Sequence, residues 1–289
     1  NAFFKAKGRP RFRSRKQPEQ SCFIPNSAIK QDGIYPRVSG KGLIYSESLL
    51  EVLMDSRLIW RAGKWYLALP RKEQRVPYGD NQARVVAIDP GVRTFATFYS
   101  DEQCGHIGEY DFSRIQRLAF YLDNLISRMS KAGKQKKRKM RLAASRMREK
   151  VKNLIDELHH KTALFLVSHF DHILLPTFET SQMVSKSGRK LRNKTVRNML
   201  TFAHYRFKQF LKHKAFELGK YVQDVSEAYT SKTHPETGEL RNIGSAKRVQ
   251  LQNGQWINRD EMGARNILLR ALVDSPDSFS VAVTKTCSW

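Results

Sequence analysis

The 289-residue sequence predicts an α/β fold in which a mixed sheet is flanked by helices. Three strand-like runs, "RVVAID", "TFATFYS" and "HIGEYD", follow one another closely, and such short connections indicate an antiparallel meander. Helical periodicity then alternates with two further strand-like runs, an order that allows parallel pairing with the meander. A hydrophobic content of 40% is sufficient for a buried core.

The region before the meander has a different pattern. From about residue 20 to 70, short β-type runs such as "SCFIP" and "SRLIWRAGKWYLALP" are separated by turn residues, and Gly63-Lys64 predicts a hairpin. We therefore expect a small β-barrel or sandwich, followed by a polar linker at 71–84. The predicted domains are a β-rich region at 1–78, an α/β domain at 79–275 and a tail at 276–289.

The elements after the meander follow from their periodicity. Apolar residues recur at helical spacing through 113–169, and "HILLPTFE" at 172–179 predicts a strand. A second amphipathic helix is expected over 196–211, and "KYVQDVS" predicts another strand. The last helix is predicted in "NRDEMGARNILLRAL", where Asp260 and Glu261 occupy the first turn.

Charge is the strongest compositional signal. Fifty-two Lys and Arg residues against 27 Asp and Glu residues give a net charge of +25, which favours a polyanionic partner such as nucleic acid. A membrane partner is not expected, because the most apolar stretch, "TALFLVSHFDHILLP", is short and interrupted by polar residues. Three cysteines without CxxC spacing argue against a disulfide framework and against a thiolate zinc site, and fit a reducing compartment. The basic start lacks the apolar segment of a signal peptide.

Basic residues concentrate in the stretches 5–16, 131–150 and 186–197. A solvated helix face would explain 131–150, but ten basic residues against one acid favour phosphate contact. The candidate nucleic-acid contacts in the three stretches are Arg9, Arg11, Arg13, Lys136, Lys137, Arg138, Lys139, Arg192, Lys194 and Arg197.

Three carboxylates stand where predicted strands or helices end or begin. Asp89 lies in the first strand, Glu179 at the end of a later strand and Asp260 at the start of the last helix. Each alone has an ordinary explanation, as a turn former, an ion-pair partner or a helix N-terminal charge. Brought together they would repel one another unless cations bridged them, and two Mg²⁺ or Mn²⁺ ions about 4 Å apart would meet that need.

Five segments occur in an order that closely resembles the RuvC-like nuclease domain of TnpB and of its eukaryotic relatives, the Fanzor proteins. The segments are "AIDPGVRTFATFYS", "PTFET", "RNKTVRNMLTFAHYRFKQFLKHKA", "VSEAYTSKT" and "NRDEMGARNILLRAL". The resemblance implies an RNase H-like (RuvC) fold and a transposon-encoded, RNA-guided, Mg²⁺-dependent DNA endonuclease. It places Asp89, Glu179 and Asp260 on the first, second and third catalytic acids, which bind the metals. The segment before the domain resembles the family's wedge region.

The sequence departs from the family pattern where TnpB proteins usually carry a four-cysteine zinc ribbon. The matching positions are His234, Thr237, Gln250 and Asn253, a set that cannot hold zinc tetrahedrally. We therefore expect no zinc and a cysteine-free, degenerate insert at about 230–256. This departure favours a Fanzor-like protein, for which a nuclear location is expected, over a bacterial TnpB, which would be cytoplasmic. We also expect the chain to be a fragment of a longer protein.

The resemblance further implies a guide (omega-type) RNA and a target DNA as partners. The basic stretches would hold guide RNA or heteroduplex, while base pairing reads the sequence. Tyr229, Thr230, Ser231 and Lys232 are candidates for lining the cleft, although an ordinary polar turn explains them equally well. His159, His160 and His204 are expected to be surface or packing residues. Two other functions stay open: a catalytically silent RNA-guided DNA-binding regulator, and a general basic RNA-binding protein.

Overall fold

The computed structural model describes residues 19–35, 43–49, 54–61, 63–72, 76–77, 84–177, 193–234, 236–240 and 246–274. The chain divides into two compact units, Asn1–Glu73 and Gln74–Trp289. Several residues that the sequence singled out lie outside the described part, namely Arg9, Arg11, Arg13, Glu179 and Arg192, together with the side chain of Lys194.

The first unit is β-rich. Its three-stranded antiparallel sheet has the order β1-β4-β5, in which β4 and β5 form the hairpin predicted at Gly63-Lys64. A short antiparallel pair, β2 and β3, packs Ile29 and Ile34 with Ile24 in a small core. The strands are β1 (Glu19–Ile24), β2 (Ile29–Lys30), β3 (Gly33–Ile34), β4 (Ser56–Arg61) and β5 (Lys64–Ala68). Within the described residues this sheet is open, whereas a barrel or sandwich was expected.

The second unit is built on a five-stranded sheet with the order β10-β9-β6-β7-β8. The meander β6, β7 and β8 is antiparallel, and β9 and β10 run parallel to β6. The strands are β6 (Val85–Pro90), β7 (Ala96–Tyr99), β8 (Cys104–Ile107), β9 (His172–Pro176) and β10 (Tyr221–Val225). This order, with three antiparallel strands and two parallel ones beside the first, is that of the RNase H-like fold. The predicted fold class is therefore confirmed.

Five helices are seen in the described part of this unit: α1 (Glu109–Ser130), α2 (Lys134–His169), α3 (Asn193–Phe202), α4 (His204–Glu217) and α5 (Arg259–Asp274). Two long predicted helices are each divided. The first ends at Ser130 and resumes after Gly133. The second breaks at Ala203, whose left-handed φ of 50° turns the chain so that Phe202 and His204 both pack against Phe95. None of the described helices has the length and apolar character needed to cross a bilayer.

The two faces of the sheet pack against different helices. Val86 and Ile88 of β6 point into the larger core, which α2 and α4 complete. Val85 and Ala87 point the other way and pack with Ile267 of α5. Because side chains alternate along a strand, Asp89 belongs to the α5 face. The sheet thus places this acid beneath the last helix.

The remaining strands, β11 (Arg248–Gln250) and β12 (Trp256–Asn258), form a short antiparallel pair that leads directly into α5. They lie in the segment where the sequence departs from the zinc-ribbon pattern.

Candidate active site

Asp89 lies near the carboxyl end of β6, the middle strand of the sheet, and is partly accessible to solvent. Gly263 of α5 covers it closely: a Cβ atom at Gly263 would lie only 2.7 Å from Asp89 Oδ2. Any larger residue would therefore collide with the carboxylate or displace the helix. The glycine in "EMGAR" is explained by this approach of the helix to the acid.

Asp260 is exposed in the first turn of the same helix. The side chain of Asn258, just before the helix, accepts a hydrogen bond from the backbone N–H of Asp260 at 3.0 Å. This bond caps the helix and fixes where it starts. Asp260 is thereby held one turn before Gly263, at the helix end where a negative charge is favoured.

A third carboxylate, Glu227, follows β10 by two residues. Its carbonyl oxygen accepts hydrogen bonds from Thr230, from the backbone N–H at 3.3 Å and from the hydroxyl at 2.9 Å. Asn266 of α5 donates to the carbonyl oxygens of Thr230 at 2.8 Å and Thr233 at 2.7 Å. The loop that carries Glu227 is thus tied to the helix that carries Asp260.

Asp260 and Glu227 act electrostatically on Asp89. The pKa of Asp89 is raised to about 7, first by burial and then by the negative charges of Asp260 and Glu227, while the positive charge of Arg259 opposes the shift. Asp89 therefore lies within reach of both other carboxylates. Mg²⁺ and Mn²⁺ prefer oxygen ligands, and a bound cation would offset the burial and repulsion that keep Asp89 from ionising. The three carboxyl groups are therefore a donor set that suits either ion. Among the described residues, no three His, Cys, Asp or Glu side chains already lie close enough together to hold a metal ion.

The sequence analysis did not single out Glu227. It chose Glu179, which follows the adjacent strand β9 and lies outside the described residues. A signal was present, since Glu227 comes just after the next parallel strand, where the carboxyl ends of β6, β9 and β10 meet at one edge of the sheet. The structure places Asp260 near enough to Asp89 for its negative charge to raise the pKa of Asp89.

Comparison with known proteins identifies relatives of this chain. Residues 68–187 match the family model described as "Probable transposase", and residues 204–267 match the one described as "Cas12f1-like, TNB domain". A putative transposase of Acanthamoeba polyphaga mimivirus is 29% identical over 78% of this chain and 48% of its own length. A TnpB-like protein of the same virus is 26% identical over 81% of this chain and 46% of its own. The chain belongs to the TnpB/Cas12f-type family.

A further relative, a putative transposase of Paramecium bursaria Chlorella virus 1, is 34% identical over 69% of the chain and 49% of its own length. The chain spans about half the length of the curated relatives it matches. Among solved structures, a Cas12f1-sgRNA-target DNA complex matches with a TM-score of 0.47 at 16% identity, covering 73% of this chain and 55% of that one. A CRISPR-Cas12f ternary complex matches with a TM-score of 0.48 at 17% identity, covering 74% and 45%.

In this TnpB/Cas12f-type chain, the basic candidates divide into two groups. Lys136, Lys137, Arg138 and Lys139 lie at the start of α2, whose first turn contains no acidic residue. Positive side chains at the positive end of a helix are unfavourable unless an anion relieves them. Arg197 differs, because its guanidinium donates to both carboxylate oxygens of Asp123, at 2.9 Å for the Nη2–Oδ1 pair, and so joins α3 to α1.

The residues proposed to line the cleft also divide. Tyr229, 64% exposed and in a left-handed conformation with φ 67°, projects from the loop that carries Glu227. Ser231 and Lys232 are exposed as well. Thr230 is buried, and its hydroxyl is used to hold Glu227.

The histidines have the packing and surface roles that the sequence analysis assigned. His204 bonds through Nε2 to the carbonyl oxygen of Gly91 at 3.0 Å, and His159 to that of Phe202 at 2.8 Å. Burial lowers the pKa of each to about 4, so both rings are neutral at physiological pH. The exposed His160 stacks on Phe210.

The insert is held together by His234, which is buried. Its Nδ1 accepts backbone N–H bonds from Glu236 and Thr237, both at 3.4 Å. That role requires the proton on Nε2, which donates to the carbonyl oxygen of Gln250 at 3.1 Å. One imidazole therefore joins the turn at 236–237 to the turn that begins after Gln250.

Proposed function

We propose that this chain is the RuvC-like nuclease part of a transposon-encoded, RNA-guided DNA endonuclease. The observation that carries the proposal is the electrostatic coupling of Asp89 with Asp260 and Glu227 at the carboxyl edge of an RNase H-like sheet. A half-buried acid whose pKa is raised to about 7 beside two acidic neighbours destabilises the fold, and such groups cluster at functional sites.

Asp89, Asp260 and Glu227 would hold two Mg²⁺ or Mn²⁺ ions, with Glu179 as a further candidate ligand. Bound ions of this kind activate water and stabilise the leaving 3′-oxygen of a phosphodiester. The chain itself supplies the arrangement: Asn258 fixes the start of α5, Gly263 allows the helix to approach Asp89, and Asn266 ties the Glu227 loop to it. Asp89 would give up its proton on binding such a cation, because a nearby positive charge favours the ionised carboxylate.

Nucleic acid would be held by charge. The net charge of +25 and the uncompensated basic start of α2 favour contact with phosphates, so affinity is expected to fall steeply with salt. A guide RNA would supply the sequence specificity by base pairing with target DNA. The exposed ring of Tyr229, two residues after Glu227, would offer a stacking surface for an unpaired base.

The experiment compares cleavage by the full-length protein, purified with its RNA, on a plasmid library with randomised flanking sequence. Asp89→Asn, Asp260→Asn and Glu227→Gln are each expected to reduce the rate by about a hundredfold or more. Glu157→Gln is the matched control, because it removes an exposed carboxylate on α2.

Equal cleavage by parent and Asp89→Asn would refute the nuclease proposal and leave the regulator or the general RNA binder. Glu179→Gln decides which acid completes the set. If only that variant, and not Glu227→Gln, is inactive, Glu227 is not a ligand.

A further inference from the structure

Three side chains form a row across the sheet on the face that α5 covers. Asp89 of β6 is paired in register with Thr97 of β7, and Thr97 is paired with His106 of β8. Residues paired in this way project from the same face. The candidate metal ligand therefore stands at one end of a polar row that runs to the outermost strand of the meander.

The row continues into the last helix. Thr97, which is 2% exposed, bonds through its hydroxyl to Nδ1 of His106 at 3.2 Å. Nε2 of His106 lies 3.1 Å from Oε1 of Glu261. Both ring nitrogens are used, so the imidazole has a fixed orientation and connects β8 to the first turn of α5.

Glu261 is the neighbour of Asp260, so the connection acts on the turn that presents a catalytic acid. The rest of α5 is anchored elsewhere: Ile267 packs in the core, Asn266 bonds to the Glu227 loop, and Arg270 donates to the carbonyl oxygen of Ala228. These contacts lie in the later turns of α5, whereas the first turn is held by the cap from Asn258 and by the buried Met262, and His106 adds a contact to β8.

The position of that turn matters for the site. Asp260 is exposed on it, and carboxylates brought close together repel one another unless a cation bridges them. The contact between His106 and Glu261 holds this turn to β8, and the cap from Asn258 fixes where the helix starts.

We propose that His106 and Glu261 are positioning residues, which hold the first turn of α5 so that Asp260 faces Asp89. The proposal rests on the nuclease function proposed above and adds two residues to its machinery. Neither residue is assigned a proton transfer, and neither needs to touch the substrate.

The test measures Mn²⁺ binding to the full-length protein by titration calorimetry, without nucleic acid, alongside the single-turnover rate and the KM for DNA. His106→Leu and Glu261→Ala are expected to weaken Mn²⁺ about tenfold and to lower the rate by a similar factor, with KM unchanged. Amide hydrogen exchange in the first turn of α5 is expected to become faster. His106→Gln, whose amide can bond to both partners, is expected to recover most of the loss.

Glu102→Ala is the matched control, since it removes an exposed acid from the turn between β7 and β8 without a described bond to α5. A purely structural role would lower the melting temperature while leaving the Mn²⁺ affinity of the folded protein and the rate unchanged, and that result overturns the proposal. So does a failure of His106→Gln to recover binding. If the parent itself neither binds Mn²⁺ nor cleaves DNA, the nuclease function fails and the positioning proposal fails with it.

Discussion

Replacing Asp89 with Asn is expected to stabilise the metal-free protein. The pKa of Asp89 is raised from 3.8 to about 7 in the folded protein. Between these values the unfolded chain has already lost the proton that the folded chain still holds, so the stability of the parent falls as the pH rises through this window and levels off above it. A shift of about 3 units corresponds to about 4 kcal/mol, which is the largest penalty that the ionised carboxyl group can impose at pH 8.

Asn removes this penalty, because it has the shape of Asp without a titrating proton. Urea unfolding in EDTA should therefore show Asp89→Asn to be more stable than the parent by up to about 4 kcal/mol at pH 8, and by about 2 kcal/mol or less at pH 5. With saturating Mg²⁺ the order should reverse, because only the parent gains binding energy. Glu102→Gln, which removes an exposed charge, controls for the change in net charge.

An Asp89→Asn variant that is no more stable than the parent at pH 8 in EDTA would refute the reasoning. It would mean that the fold does not disfavour the charge of Asp89, and that Asp260 and Glu227 do not act on it.

Three further predictions follow from the geometry around the site. Gly263→Ala should lower stability by about 1–3 kcal/mol and reduce the cleavage rate, because the new Cβ would collide with Asp89. Gly133→Ala, whose Cβ meets open space, should change neither quantity. Melting curves and cleavage rates test this, and equal behaviour of the two variants would contradict the close approach of Gly263 to Asp89. His234→Ala should loosen both turns of the insert and lower stability by about 1–3 kcal/mol. Amide hydrogen exchange at 236–237 should become faster. Unchanged exchange there would show that His234 does not join the two turns. Replacing Lys136, Arg138 and Lys139 with Gln should weaken RNA binding and reduce the slope of log affinity against log salt concentration by about 2. Arg197→Gln should act mainly on stability, because Arg197 is paired with Asp123. An unaltered slope in the triple variant would exclude the start of α2 from the RNA interface.

The fold could be predicted from the sequence because local sequence patterns indicate its strands and helices. The apolar run in "RVVAID" and the short turns after it specify the meander, and the polar residues at the start of α5 mark its cap. Asp89 and Asp260 could be recognised because each stands at the end of such an element.

What the sequence did not reveal depends on contacts between distant residues. Glu227 gains its place through the bonds of Asn266 to the loop beside it, and those bonds form only when α5 packs on the sheet. The ion pair that occupies Arg197 joins residues 74 positions apart. The break at Ala203 serves the burial of Phe202 and His204 around Phe95, which helical periodicity alone does not show.

Anomalous scattering from crystals of the full-length protein soaked in Mn²⁺ tests the central claim most directly. We predict manganese peaks about 2 Å from carboxylate oxygens of Asp89 and Asp260, with Glu227 completing the set. Manganese bound away from Asp89, or three carboxylates that remain apart in its presence, would contradict the account.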